Sequence, residues 1–374
     1  MKAVQGFTTL TVTLILISIL ISVSVFIGKV LVAERRITLN EIEYRVAQAA
    51  AEQGIAEARA LLNVAPTNSV WAGTVSSNVA EVSYQVTMVP DANLAGLIHL
   101  ESVATLPGGG ESRVKVTLAR RSVLNPHNSG PAAPLMLAAA NNDIDGNITV
   151  VAHPNGGGAG VPISVWSKGT IATSGQLQSC YLADFNAIAN HCVLELSHKN
   201  STSQNINSDM VIDDGGFPAD LLSYLFGYGQ DQWSSISAMA VQAVSRCDEI
   251  NRAGFFIITD GGVCALEQVT SSALAPVILL AKDISVTGSI GTQFYGLLVL
   301  YDSDPSDSNV MSVQLNQGSQ LFGSLLSNLS DDSLKDDFAI IYHQGVLCLI
   351  SNCNQDPQSP FVSLNTIPGS WTDD

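Results

Sequence analysis

Residues 7–28 constrain this chain more than any other stretch. From Phe7 to Gly28 there are 22 residues without a charge, dominated by Leu, Ile, Val, Ser and Thr. A helix rising about 1.5 Å per residue spans roughly 33 Å over that length, enough to cross the apolar core of a bilayer. A short polar leader, residues 1–6, precedes the run and carries one lysine, Lys2. A cleaved signal peptide has a shorter apolar core followed by a small-x-small site. Here Ser18, Ser22 and Ser24 lie inside the run, and helix-compatible sequence continues to about Asn63. The apolar segment is therefore expected to stay in the mature chain, with residues 7–32 in a membrane.

Beyond it, residues 33–63 are rich in Ala and Glu and free of proline. Ile42, Val46, Ala50 and the alanines of 56–60 share a narrow apolar stripe, and Glu41 precedes Arg45 by one turn in the favourable order. The pattern predicts one helix from Phe7 to Leu62, roughly 84 Å long, weakened at Gly54 and ended by Pro66. Its first half is apolar all round and its second half amphipathic, which suits a folded domain packed on the second half.

Over 64–119 the period changes to two. Val82, Tyr84, Val86 and Met88 alternate, as do Ile98, Leu100, Ser102, Ala104 and Leu106, and then Val114, Val116 and Leu118. The glycines at 108–110 supply a hairpin turn, so a small antiparallel sheet against the helix is expected. Residues 120–134 hold three prolines and a glycine and read as an irregular linker. From 135 to 349 the chain consists of short β-type runs, such as 147–151, 254–259, 276–280, 294–300 and 321–326. Turn units at 145–147, 167–169, 287–289 and 317–319 punctuate them. The absence of hairpin signatures between the runs favours a parallel β-solenoid over a β-sandwich. Helices are predicted to interrupt it at Pro218–Phe226 and Ser234–Ser245, and residues 350–374 read as a C-terminal tail. The fold class is thus α+β.

The net charge is −17, and only six Lys or Arg lie beyond residue 121: Lys168, Lys199, Arg246, Arg252, Lys282 and Lys335. A nucleic-acid partner needs a basic stripe to displace phosphate counterions, so direct nucleic-acid binding is not expected. Six cysteines, Cys180, Cys192, Cys247, Cys264, Cys348 and Cys353, contain no Cys-x-x-Cys pair. An even number in an exported domain points to disulfides. Six cysteines allow 15 pairings; pairing of sequence neighbours closes three short loops. Lys29, Arg35 and Arg36 follow the apolar run, and a count of basic residues alone places the C-terminal domain inside. The cysteines override that count and put it in the periplasm.

No nucleophile elbow, phosphate loop or His-Glu-x-x-His is present, and the histidines at 99, 127, 153, 191, 198 and 343 are scattered. Neither enzymatic activity nor a cofactor is expected. The Asp pairs at 213/214, 331/332 and 336/337 read as solvated turns. Asn141-x-Asp143-x-Asp145-Gly146 copies the first half of a calcium loop, but Ala152 stands where the bidentate Glu belongs. That leaves an Asx-rich turn before a strand. Asp302, Asp304 and Asp307 form a second acidic loop of the same weak kind, and the glycines within 156–160 read as a flexible loop.

Gly6-Phe7-Thr8-Thr9-Leu10 resembles the processing site of type IV prepilins: a short Lys-bearing leader, Gly-Phe, and an apolar helix that starts at once. The resemblance implies cleavage between Gly6 and Phe7 by a prepilin peptidase and N-methylation of Phe7. Family members usually carry Glu at the fifth mature position, where Thr11 stands here. In the family that Glu neutralises the amine of a neighbouring subunit, and a buried amine without a carboxylate is costly. The departure therefore points to a minor subunit. With Ala33-Glu34-Arg35-Arg36-Ile37-x-x-Asn40 and Ala47-x-Ala49-Ala50-Ala51-Glu52-x-Gly54, the chain is similar to the PilX-type minor pilins of Gram-negative bacteria. A looser likeness covers Cys247, Gly254–Ile258, Cys264, Ala275–Leu280 and Tyr295–Leu298. The resemblance implies an inner-membrane protein that meets other minor and major pilins through the helix, and the pilus assembly platform, in priming or at a tip. The alternatives are a minor pseudopilin of type II secretion, whose large domain is helical and binds calcium, and a pilin-anchored adhesin or carbohydrate-binding solenoid.

Overall fold

The computed structural model describes residues 5–62, 69–76, 81–91, 96–127, 130–152, 162–259, 262–305, 311–330, 334–354, 356 and 359–373. Pro66, His153, the glycines of 156–160, Asp307 and the 331/332 pair lie outside these residues. The chain divides into two compact units: Met1–Leu62 with Thr67–Ala119 and Thr366–Asp374, and Asn63–Pro66 with Arg120–Asn365. The second is thus an insertion in the sequence of the first.

In the first unit one helix runs over Gln5–Leu62, about 87 Å at the standard rise. Its C-terminal part packs on an antiparallel sheet of Val70–Ser76, Glu81–Pro90, Leu97–Thr105 and Glu111–Ser122, paired in that order. The predicted alternation is what one buried face requires: Val82, Tyr84, Val86, Leu100, Ala104, Val114, Val116 and Leu118 are buried. They meet Ala47, Ala50, Ala51, Ile55, Ala58 and Leu62 of the helix. The turn before the fourth strand closes through Leu106 N–H to Gly110 C=O at 2.8 Å and Gly109 N–H to Leu106 C=O at 2.9 Å.

Gly54 does not interrupt the helix. A Cβ there would come within 2.7 Å of both Ser102 Oγ and the Tyr84 ring, so the missing side chain is what lets helix and sheet approach. The end of the chain is not a tail either. Ile367 N–H donates to Thr117 C=O at 3.0 Å, and Thr372 and Asp373 pair antiparallel with Lys115 and Val114. Within 350–365, Ile350 and Phe361 are buried, and the helix Gln344–Ser351 crosses the expected boundary.

The second unit is a parallel β-solenoid. Its main sheet stacks Gln242–Val244, Gly254–Ile258, Val277–Lys282, Gln293–Tyr301, Ser319–Ser327 and Phe338–Ile341 in sequence order, all parallel. A second parallel sheet stacks Val263–Ala265, Ser285–Gly288, Val313–Leu315 and Leu334–Lys335 beside it. The next coil in space is the first in the chain: Leu135–Leu137, Asn141–Asp145 and Asn147–Val151 pair with Ser319–Ser327, Leu334–Lys335 and Phe338–Ile341. On their other side they pair with Val165–Ser167, Thr170–Thr173 and Gln176–Cys180. The chain therefore enters the stack in the middle, winds to one end, crosses to the other and winds back.

Main-sheet strands are buried on both faces, which explains their continuous rather than alternating apolar runs. Phe256, Ile258, Leu279, Leu298 and Leu325 fill the interior. Phe255, Ile257, Ile278, Leu280, Leu297 and Val299 face outward beneath the helices. Those helices include Leu221–Phe226, capped by Asp220 and by Gly227 in the left-handed region, Trp233–Met239, and Gln344–Ser351. The second ends earlier than the predicted Ser234–Ser245 because Gln242–Val244 is taken by the sheet edge. Residues 120–134 are not a free linker: Val123, Leu124 and Ala133 are buried in this outer core. Their backbone is held as well, with Val123 N–H donating to Phe361 C=O at 2.8 Å and Asn125 N–H to Leu225 C=O at 2.7 Å.

Candidate functional site: the exposed apolar half of the long helix

Gly6, Phe7 and Thr11 lie in the first turns of the helix; their side chains are outside the described set. From Leu10 onward the apolar side chains are bare. Leu10 is 60% exposed, Phe26 68% and Ile37 66%, and burial begins only at Ala47. The helix is the one element among the described residues long and apolar enough to cross a membrane. Three of its hydroxyls are satisfied by the helix itself. Ser22 Oγ donates to Ser18 C=O and Ser24 Oγ to Leu20 C=O, both at 2.8 Å, and Thr13 Oγ1 donates to Leu10 C=O at 2.9 Å. Such internal satisfaction is what a hydrocarbon environment demands. Each exposed Leu, Ile or Phe forgoes roughly 1.5–3 kcal/mol of burial, so a dozen and more of them side by side require a bilayer or other helices around them.

At the other end the helix is fixed by one aromatic. Tyr84 fits between Gly54 and Gly73, whose Cβ would come within 2.3 Å of the phenol oxygen, and its hydroxyl donates to Glu57 Oε2. Burial, reinforced by the hydrogen bond to Glu57 and its negative charge, pushes the phenol up to about 12. The same hydrogen bond, helped by Gln53, holds the Glu57 carboxyl below its ordinary range. Sequence reading misses this anchor, because Gly54, Gly73 and Tyr84 are brought together only by the packing of helix on sheet.

Cys180 and Cys192, Cys247 and Cys264, and Cys348 and Cys353 are bonded, with Cα separations of 5.8, 5.4 and 5.1 Å. The expected Asx turn at 141–145 is instead a strand in the second parallel sheet. Asn142 and Ile144 point inward; Asn141 accepts from Thr170 Oγ1 at 3.4 Å and Asp145 from Ser174 Oγ at 2.6 Å. Asp143 lies on the same outward side as these two. The extended backbone spreads the three side chains along the strand where a calcium loop would converge them. Asp302 is buried, its N–H donating to Asn328 Oδ1 at 2.7 Å, while Asp304 N–H donates to Asp302 Oδ1 at 2.9 Å. Among the described residues no three His, Cys, Asp or Glu come together to hold a metal ion.

No protein-family model matches the chain, and no curated protein matches it. Among solved structures, the competence-associated pilin ComZ from Thermus thermophilus matches at 11% identity with a TM-score of 0.26, covering 88% of this chain and 96% of that one. A superposition this loose leaves the reading of function to the chain's own geometry.

Proposed function

We propose that this chain is a minor pilin of a type IV pilus, of the PilX-like kind, acting in assembly, priming or a tip complex and not as an enzyme. The observation that carries the reading is the long helix: bare and apolar over its first half, packed on an antiparallel sheet over its second. A rod of that kind anchors singly in the inner membrane before assembly and packs beside other pilin helices after it. In this reading the prepilin peptidase cuts between Gly6 and Phe7, Phe7 is N-methylated, and the assembly platform receives the product. The solenoid resides in the periplasm, where its disulfides form. Thr11 supplies no carboxylate to a neighbouring amine, which favours a terminal place over repeated mid-filament use. A parallel solenoid without a metal cluster among its described residues also weighs against the calcium-bound helical pseudopilin.

Mass spectrometry of the mature N-terminus tests the processing: N-methylated Phe7 is expected, and a chain that begins at unmodified Met1 overturns the assignment. Deletion tests the role, with loss or strong reduction of pili expected. Intact pili with altered surface attachment would move the function to the solenoid as an adhesin.

A further inference from the structure

A cleft of about 530 Å³ lies on the flank of the solenoid unit, within the range of roughly 300–1,000 Å³ usual for small-ligand sites. One side is apolar and low, built from Ala138–Ala140 and Leu221. The opposite wall is polar and rigid. Tyr301 Oη donates to Gln230 Oε1 at 2.9 Å and Gln230 Nε2 to Ser303 C=O at 2.8 Å, while Asn328 brackets the Asp302 backbone through both amide atoms. These groups are committed to one another and fix the shape.

Four other polar groups on the same cleft are uncommitted among the described residues. They are the Lys168 ammonium, the Asn141 amide nitrogen, the Ser330 hydroxyl and Asp220 Oδ2, whose partner oxygen Oδ1 caps the helix at Leu222 N–H at 2.9 Å. The set mixes donors and acceptors and carries one charge of each sign. Lys168 is one of only six cations beyond residue 121. Paired donors and acceptors beside a low apolar floor match a molecule whose every polar group both donates and accepts and whose faces are C–H surfaces. Burial, reinforced by the negative charges of Asp220, Asp283 and Asp302, pushes the Tyr301 phenol up to about 12, and these acidic surroundings disfavour an anion.

We propose that this cleft binds a neutral saccharide, with Lys168 and Asn141 donating to hydroxyl oxygens, Asp220 accepting from a vicinal hydroxyl and Ala138–Ala140 carrying a ring face. The proposal stands apart from pilus assembly: failure to bind sugar leaves the filament role intact, and an unmethylated N-terminus leaves the cleft intact.

The test is binding of neutral and uronic-acid oligosaccharides to the full chain in lipid nanodiscs, free of glycosidic detergents, by calorimetry and saturation-transfer NMR. Saturable binding of a neutral saccharide, recovered unhydrolysed, is expected. Lys168→Ala should weaken it about tenfold, a change of about 1.4 kcal/mol. Ala140→Trp, at an exposed lining position, should abolish it with an unchanged circular-dichroism spectrum. Absence of binding to every neutral saccharide, preference for uronates, or binding indifferent to both variants overturns the proposal.

Discussion

At Tyr84 a few tenths of an ångström decide how helix meets sheet. Gly54 lies on one side of the ring and Gly73 on the other, so the ring cannot retreat from an added methyl. Replacing a mid-helix glycine by alanine gains about 1 kcal/mol in helix propensity, whereas overpacking a closed contact costs about 1–3 kcal/mol. Gly54→Ala should therefore lower the unfolding temperature of the chain in detergent, followed by circular dichroism. Gly28→Ala, with nothing within 4 Å, gains propensity without a clash and should not lower it. The Tyr84–Glu57 pair also makes a pH prediction. A phenol raised from 10 to about 12 on folding stabilises fully below pH 10, and that contribution is lost as pH rises toward 12. Glu57, lowered on folding, contributes above its ordinary value of 4.5 and loses that contribution as pH falls below it. Tyr84→Phe should flatten the alkaline limb of a stability–pH curve and weaken the acid one. A Tyr84→Phe curve that keeps the wild-type alkaline slope would assign that slope elsewhere. None of this was legible beforehand: the sequence shows Gly54 as a flaw in a helix, because the ring that fills the gap is 30 residues away.

At the level of elements the solenoid depends on how closely its coils approach. Gly296 pairs in register with Val277 and with Gly323. A Cβ on Gly323 would come within 1.9 Å of the Gly296 carbonyl oxygen, at φ +146. Backbone cannot yield as a flexible side chain can, so Gly323→Ala should cost on the order of 4 kcal/mol. Gly291→Ala, at φ +74 in open space, should cost only the left-handed penalty of about 1–2 kcal/mol. Urea unfolding of both variants measures the contrast; equal midpoints would mean that the coils can separate at no great cost. The Cys247–Cys264 bond closes a loop of sequence separation 17, for which the chain-entropy account gives about 3 kcal/mol. The double Cys→Ser variant should lose that much. Strands and turn units were legible here, because double-sided burial writes continuous apolar runs and the corners demand Gly, Asn and Asp. The second insertion helix was over-extended: Gln242-Ala243-Val244 has helical propensity, but the open edge of Gly254–Ile258 offers more hydrogen bonds than another helical turn would. The same applies to Asn141–Asp145, where pairing on both sides overrides the local preference for an Asx turn. The prolines of 120–134 suggest an irregular linker, yet Val123 and Leu124 fill the outer core.

For the whole molecule the informative fact is the order in which the coils are stacked. The first coil, 135–151, is flanked in space by the coil at 165–180 and by the last strands at 319–341. Pairing partners so far apart in sequence leave no local trace, since any Val- and Leu-rich strand satisfies any other; the solenoid could be read from the sequence, but not the point of entry. It also follows that the first coil has an open face until the last has been made, so folding carries a large loop-closure penalty and should be slow. The small sheet is under no such constraint. Its terminal segment returns to the fourth strand through Ile367 N–H and Thr117 C=O at 3.0 Å, so the points between which residues 120–365 are inserted lie one tight turn apart within the first unit. Replacing that insertion by a short Gly-Asn turn should therefore leave the helix and five-element sheet folded, with protected amides along 81–118 in hydrogen exchange. On the proposed pilin reading, the shortened chain should still enter the membrane and be processed at Gly6, because both depend on the exposed half of the helix. If pili then assemble normally, the solenoid is cargo carried on a polymerising rod. If assembly stops while the small unit stays folded, the solenoid is part of the priming contact, and its slow closure sets the time at which a subunit becomes competent to join.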